Sequence, residues 1–230
     1  MTGSSQQGAL SIRSMFAGVA RRYDLLNHLL SFNLDRRWRR RTARRLAPLL
    51  LRPGARVLDL CCGTGDLAAA LAASGAAPYG CDFCHPMLRI ARRKLPGRPL
   101  FEADALRLPL PDASVDVVTA AFGIRNLANR QAGYAEMLRV LRPGGVAAIL
   151  EFSQPPGRLM RLFYGWYSRL LPRIGAAFSD AGYAYAYLPE SVRRFPAAEE
   201  LADEMRSAGF REVSFIRMTA GVVALHVGER

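Results

Sequence analysis

Arg56-Val-Leu-Asp-Leu-Cys-Cys-Gly-Thr-Gly-Asp66 begins as a buried strand and ends in a helix, with the change of direction placed on Gly63 and Gly65. Glycine takes turn conformations closed to other residues and lets a ligand lie against the main chain. The segment therefore reads as a nucleotide-binding corner. Gly63-Thr64-Gly65-Asp66-Leu67-Ala68 satisfies the dinucleotide pattern GxGxxG/A, and Asp82 lies at about the spacing of a ribose-binding acid. That pattern alone leaves the ligand open.

Charge separates the candidates. A dinucleotide sets its pyrophosphate on the helix N-terminus, where amides and the macrodipole attract anions. Here Asp66 occupies that first turn and Asp59 closes the strand, so a pyrophosphate meets two carboxylates. S-adenosylmethionine (SAM) has no phosphate. It carries a sulfonium and an ammonium that acidic surroundings favour, and a ribose diol that donates to a carboxylate. An ordinary strand-turn-helix with an N-terminal Asp cap accounts for Asp66 but not for the Asp-x3-Gly-x-Gly spacing that begins at Asp59.

The rest of the chain sets the frame. At 230 residues and 50% hydrophobic content, residues 1–230 read as a single domain with one sizeable core. Met1 to Gly8 is polar and no apolar run approaches a membrane span, which places the protein in the cytoplasm, with a peripheral position at the inner face of the cell membrane as an option. Cys61, Cys62, Cys81 and Cys84 read as free thiols. Neighbouring strand residues face opposite ways, which makes a four-thiolate zinc site awkward, and no metal is expected.

A net charge of +13, nearly all arginine, keeps nucleic acid and anionic membrane open as partners. Two stretches concentrate it. Arg36-Arg-Trp-Arg-Arg-Arg41 with Arg44 and Arg45 reads as a helix ending near Pro48. Arg158 to Arg173 interleaves arginine with Phe, Tyr, Trp and Leu, as an interfacial helix does; a packed helix with snorkelling arginines gives the same pattern. An RNA-binding role needs an aromatic platform or an added recognition domain, and neither is present in the sequence.

Along the chain, helices to about Leu50 form an N-terminal cap (residues 1–50), punctuated by Arg52-Pro53-Gly54. Strands then alternate with helices: Arg56 to Cys61, Pro78 to Asp82, Pro99 to Ala103, Val115 to Ala121 and Val146 to Phe152. A helical insertion over residues 153–196 interrupts the pattern. A helix from Ala197 to Ala208 stops at Gly209, and strands at Glu212 to Met218 and Val222 to Val227 form a hairpin. The fold class is α/β: a doubly wound, seven-stranded, mostly parallel sheet whose last strand is antiparallel, with ligand beyond the carboxyl ends of the strands. Asp59, Asp82 and Asp104 all fall there. Asp82 suits the ribose hydroxyls, and Asp104 with Ala105 suits adenine.

On these acids and the late Leu-Arg-Pro-Gly-Gly turn the chain resembles the class I SAM-dependent methyltransferases. More specific segments narrow the resemblance. They are Phe16-x2-Val19-Ala20-x2-Tyr23-Asp24-Leu-Leu-Asn27, Ser31-Phe32-x3-Arg36-x-Trp38, Phe122-Gly-Ile-Arg125-Asn126, Leu150-Glu-Phe-Ser153, Leu188-Pro-Glu-Ser-Val-Arg193-x-Phe195-Pro196 and Ala220-Gly-Val-Val-Ala-Leu-His226. Together they resemble the C-methyltransferases of menaquinone and ubiquinone biosynthesis. The resemblance implies methyl transfer from SAM to a ring carbon of a polyprenylated quinol, with cofactor contacts on Thr64, Asp82, Asp104 and Ala105 beside Asp59, Gly63 and Gly65. Many members carry Ser where this chain has Ala121. The stretch Tyr187 to Pro196 is more like the menaquinone-pathway members, so demethylmenaquinol leads over a ubiquinone-pathway benzoquinol; an NAD-dependent oxidoreductase is the weaker alternative.

The chemistry has its own logic. A quinone ring is electron-poor, whereas the quinol becomes a carbon nucleophile ortho to an ionised hydroxyl, so the reduced ring must bind. Catalysis then needs positioning and help in ionising a phenol of pKa near 10. Arg125 suits stabilisation of the phenolate and Asn126 a hydrogen bond to its oxygen. Arginine stays protonated and makes a poor base, leaving water, Tyr23 or Asp24 to take the proton. His226 reads as a strand residue near the sheet edge.

Overall fold

The computed structural model describes residues 3–157, 165 and 182–230. Seven strands form one sheet in the order β3-β2-β1-β4-β5-β7-β6. They are β1 (Val57–Leu60), β2 (Pro78–Asp82), β3 (Leu100–Glu102), β4 (Val115–Ala121), β5 (Leu141–Phe152), β6 (Arg211–Met218) and β7 (Val223–Glu229). β1 to β5 pair in parallel, and β7 runs against both β5 and β6. The chain leaves β1 toward β2 on one side and returns at β4 on the other, which opens a crevice above the carboxyl ends of β1 and β4. This is the expected doubly wound sheet with its antiparallel last strand.

Alternation along the strands divides the core. Leu58 and Leu60 of β1, with Val118, Ala120 and Ile149, face α5 (Arg130–Val140) and α7 (Ala198–Ala208) through Tyr134, Met137, Leu201 and Met205. Val57, Val117, Ala148 and Leu150 face the other way, toward α2 (Leu34–Leu50) and α3 (Asp66–Ala72). Period-two side-chain direction in buried parallel strands requires apolar residues on both faces, and both are filled. α2 buries Trp38, Thr42, Leu46 and Leu50 at four-residue spacing, with Ala43 three residues before Leu46. The Trp38 indole N–H donates to the Thr219 hydroxyl at 2.9 Å, tying this helix to the β6–β7 turn. The cap is completed by α1 (Gly3–Leu30), with α4 (His85–Lys94) below it and α6 (Gly182–Arg194) after the insertion.

Several boundaries differ from the sequence expectation. α2 continues past Pro48 to Leu50, with the proline on its exposed side. β5 starts at Leu141, because Leu141 pairs with Val115 and the Arg142-Pro-Gly-Gly145 stretch is absorbed as an irregularity before Val146 pairs with Val117. Gly144 takes φ +73° there. β1 stops one residue early, at Leu60. His226 sits in an inner strand and is buried, its Nε2–H donating to the Ala198 carbonyl at 2.8 Å, and burial lowers its pKa. The arginine-aromatic stretch at 158–173 lies outside the described residues apart from Gly165. Among the described residues no helix is long and apolar enough to cross a membrane.

Two non-glycine residues leave the sheet in left-handed conformations side by side: Cys61 after β1 (φ 52°) and Phe122 after β4 (φ 58°). Such strain collects at ligand-binding corners. Gly123 follows Phe122, and a Cβ there would lie 2.5 Å from the Cβ of Cys61. Gly123→Ala should therefore cost roughly 1–3 kcal/mol through overpacking, read as a lower urea midpoint at unchanged m-value; an unshifted midpoint would show that the two strand ends are not held this tightly.

Candidate active site

A cavity of about 480 Å³ lies above the ends of β1, β2 and β4 and is roofed by α1 through Arg13, Phe16 and Tyr23. Its floor is the glycine turn. The Gly65 amide closes back on the Cys62 carbonyl at 2.8 Å, and Gly63 and Gly65 take φ +55° and +83°. A Cβ on Gly63 would meet nothing within 4 Å, so it would intrude on open space beside the cavity rather than on protein.

Two buried carboxylates hold this turn. Asp59 accepts from the Thr119 hydroxyl at 2.8 Å and from the Ala68 amide at 3.0 Å, so it caps the first turn of α3 from the strand below. Burial pushes its pKa up to about 7 despite those hydrogen bonds. Asp82 accepts from the Gly63 amide at 2.8 Å and the Cys84 amide at 2.9 Å. Burial raises it to about 6. A carboxylate has about four lone-pair sites, so Asp82 retains capacity for a diol in the cavity. Asp104 lies exposed at the rim, one oxygen taking the Leu106 amide at 2.9 Å, with Ala105 buried beside it. Thr64 is buried, and its hydroxyl donates to Asp24 of α1 at 2.5 Å.

Asp66 behaves differently from the sequence reading. It lies 2.5 Å from the Lys94 ammonium, 3.9 Å from the Arg39 guanidinium and 3.8 Å from the His28 ring. Its charge is balanced locally, so the acidity facing a ligand comes from Asp59, Asp82 and Asp104. Lys94 also reaches Asp24 at 2.6 Å and thereby ties α4, α3 and α1 together. It is the only lysine in a chain of 31 arginines. That contrast was a readable signal that the sequence expectation passed over: an ammonium is a compact point charge with three rotatable donors, whereas a guanidinium is a flat fork. His28, Asp35 and Asp66 are the one grouping at metal-ligand separation among the described residues. Arg39 pairs with Asp35 and Lys94 with Asp66.

The four catalytic candidates separate in space. Tyr23 and Asn126 line the cavity; Arg125 and Asp24 do not. Burial raises the Tyr23 pKa, and the nearby Arg125 charge offsets part of that. The Asn126 carbonyl oxygen accepts from the Tyr187 hydroxyl at 2.8 Å. Arg125 is buried behind them: it donates to the Phe122 carbonyl and to Glu151 at 2.9 Å, and lies 5.3 Å from the centre of the Phe152 ring. Burial alone would lower its pKa, but Glu151, itself fully buried, holds it above the usual value. The Arg125 Nε–H is buried without a partner. Glu151 and Tyr187 appear in the sequence reading only as members of longer segments, with no role in the site. Their partners are 26 and 61 positions away in sequence, beyond the reach of any spacing rule.

The donor set fits a nucleoside with a cationic centre: acids at three successive strand ends, apolar walls, and at the glycine turn cations that are already paired with Asp66. A crevice of this kind on this sheet defines a class I SAM-dependent methyltransferase. A SAM-dependent methyltransferase from Thermotoga maritima, described as a possible histamine N-methyltransferase, shares the fold at TM-score 0.66 and 20% identity, covering 94% of this chain and 98% of that one. The chain belongs to the ubiE/COQ5 methyltransferase family, whose profile matches residues 1–230. It is 51% identical to the demethylmenaquinone methyltransferase of Thermus thermophilus, over 94% of this chain and all of that one. It is 45% identical to the ubiquinone/menaquinone biosynthesis C-methyltransferase UbiE of Geobacter sulfurreducens, over 95% and 88%.

Two measurements probe this geometry. Asp82→Ala should weaken SAM binding by about 1.5–3 kcal/mol, the loss of hydrogen bonds to a charged group, in a titration calorimeter. With Asp82 as the ribose acceptor the ionised carboxylate would be the binding form, and affinity should then fall roughly tenfold per pH unit as pH drops below about 6. A flat profile would take Asp82 out of the cofactor site.

The Arg125–Glu151 pair gives the second. Arg125→Met should destabilise by about 3–5 kcal/mol by stranding a buried carboxylate. The double variant Arg125→Met/Glu151→Leu should recover most of the stability in a denaturant titration but none of the turnover. Recovered turnover would make the arginine purely structural.

Proposed function

We propose that the protein transfers the methyl group of SAM to a ring carbon of a polyprenylated quinol, with demethylmenaquinol as the substrate. The observation that carries the reading is that one cavity receives both Asp82, suited to the ribose, and Asn126, with the Arg125 guanidinium buried directly behind the same turn. The curated relatives support it by name, and the Tyr187 to Pro196 stretch favours the menaquinone branch over the ubiquinone branch.

SAM bound on the Asp82 side supplies an electrophilic methyl group. Asp59, Gly63 and Gly65 shape the turn beneath it, Asp82 holds the ribose, and Asp104 with Ala105 meets the adenine. Asn126 hydrogen-bonds the quinol hydroxyl, and its own carbonyl is fixed by Tyr187. Arg125 lowers the energy of the phenolate through space. It can do so from behind the wall because a charge in a buried setting acts over several ångströms with little screening.

Tyr23 is a donor to the substrate rather than a base, since its phenol is held above its usual pKa and stays protonated at neutral pH. Asp24 is occupied by Lys94 and Thr64 and positions the roof. Water is then the proton acceptor, both for the hydroxyl and for the ring hydrogen displaced when the carbon–carbon bond forms. The hydrophobic walls contributed by Phe16, Phe83, Phe122 and Leu127 exclude bulk solvent from the ring.

Turnover should require a reductant, because only the quinol has a hydroxyl to ionise and a nucleophilic ortho carbon. With SAM and chemically reduced demethylmenaquinone, mass spectrometry should show a product heavier by one methylene, while the oxidised quinone gives none. Equal rates with both forms would overturn the mechanism, and faster reaction of a benzoquinol would move the enzyme to the ubiquinone branch.

A further inference from the structure

The large apolar side chains most open to solvent among the described residues are Leu25 (67%), Leu29 (50%), Phe32 (75%) and Leu51 (54%), and the first three fall within eight positions. Single exposed leucines need no explanation; a cluster at one helix end does. Leu25 and Leu29 are one turn apart on α1. Successive helical residues differ by about 100°, so the helix that turns Tyr23 into the cavity turns Leu25 outward. The roof of the active site is thus two-faced.

The neighbouring helix supplies charge of one sign. α2 carries seven arginines and one acid, and Asp35 is buried and paired with the buried Arg39. The other six, Arg36, Arg37, Arg40, Arg41, Arg44 and Arg45, are exposed and form no ion pair among the described residues. Arg36, Arg40 and Arg44 repeat every four residues and line one cleft of about 790 Å³ with Leu25. The carboxylates in that cleft, Asp24 and Asp66, are both bound to Lys94. An apolar ridge and a row of unneutralised arginines therefore share one surface.

We propose that the corner where α1 meets α2 seats the protein on an anionic bilayer, with Leu25 and Leu29 entering the headgroup boundary and Arg36, Arg40 and Arg44 meeting lipid phosphates. The chemistry selects this partner. A polyanion in water, such as RNA, satisfies the arginines but gains nothing from exposed leucines, whereas a lipid interface uses both. The inference rests on the quinol reading for its purpose: a polyprenyl tail keeps the substrate in the bilayer, and α1 is the element shared by the docking corner and the cavity. It places the contact on the N-terminal helices, distinct from the arginine-aromatic stretch at 158–173.

Co-sedimentation of the full chain tests it, using vesicles of phosphatidylglycerol with phosphatidylcholine against phosphatidylcholine alone at low salt. The protein should pellet with the anionic vesicles only, and salt should release it. Arg36→Gln/Arg40→Gln/Arg44→Gln should lower partitioning on the order of a hundredfold, and Leu25→Ser/Leu29→Ser should lower it by roughly tenfold or more. Both variants should keep SAM affinity, since none of these residues lines the cofactor cavity. Unchanged pelleting of both variants overturns the proposal. So does retention on RNA that depends on the arginines but not the leucines while anionic vesicles are ignored. Failure of the quinol reading shows separately, as a protein that pellets normally yet does not methylate the detergent-solubilised quinol.

Discussion

Burying a carboxylate at a strand end carries a large desolvation cost, and this fold does it twice, at Asp59 and Asp82, to hold one turn. The amides of Gly63, Ala68 and Cys84 converge on the two groups and offset part of that cost. The rest shows as pKa values of about 7 and about 6. The glycine turn could not otherwise keep its amides satisfied while standing open to a ligand. Other features of the site converge on it: α3 starts from it, Thr64 reaches α1 from it, and Cys61 immediately before it leaves β1 in a left-handed conformation.

A helical roof fixed by charge completes the crevice. Lys94 spans Asp24 and Asp66, and Thr64 donates to the same Asp24, so α1 is held to the sheet through polar groups as well as through Phe16, Ala20 and Met87. The Lys94 and Asp24 side chains are about a quarter exposed. Contacts of that kind are modest in energy and salt-sensitive. They suit an element that must admit a cofactor and a long substrate, whereas α2, locked by Trp38, Leu46 and Leu50, is part of the permanent core.

Arg125 and Glu151 pose the opposite case. The pair is nearly fully buried, with side-chain exposures of 5% and 0%. A buried ion pair is often no better for stability than a hydrophobic pair of the same size. In the proposed mechanism a cation kept there, with an unpartnered Nε–H, is a field source for the cavity rather than cement. Its neighbours Phe122 and Phe152, on whose rings Trp38 packs, exclude water around it, which preserves the reach of its charge.

The order of strands and helices, the glycine turn and the acids at Asp59, Asp82 and Asp104 were legible in the sequence, because each rests on local rules: period-two burial, glycine dihedrals and the position of a residue at a strand's end. Arg125 and Asn126 were legible as a motif. Their partners were not. Glu151 and Tyr187 reach them across the sheet and from α6, and no spacing pattern encodes a contact between elements that meet only after folding. For the same reason the charge of Asp66 was overestimated, since the balancing Lys94 lies 28 residues on. The Arg142-Pro-Gly-Gly145 stretch read as a turn, but pairing with β4 carried the strand through it. Sequence alone determined the sheet, the turn and the ligand class; the tertiary structure decided which charges remain available to a ligand, because neutralisation depends on distance in space rather than along the chain.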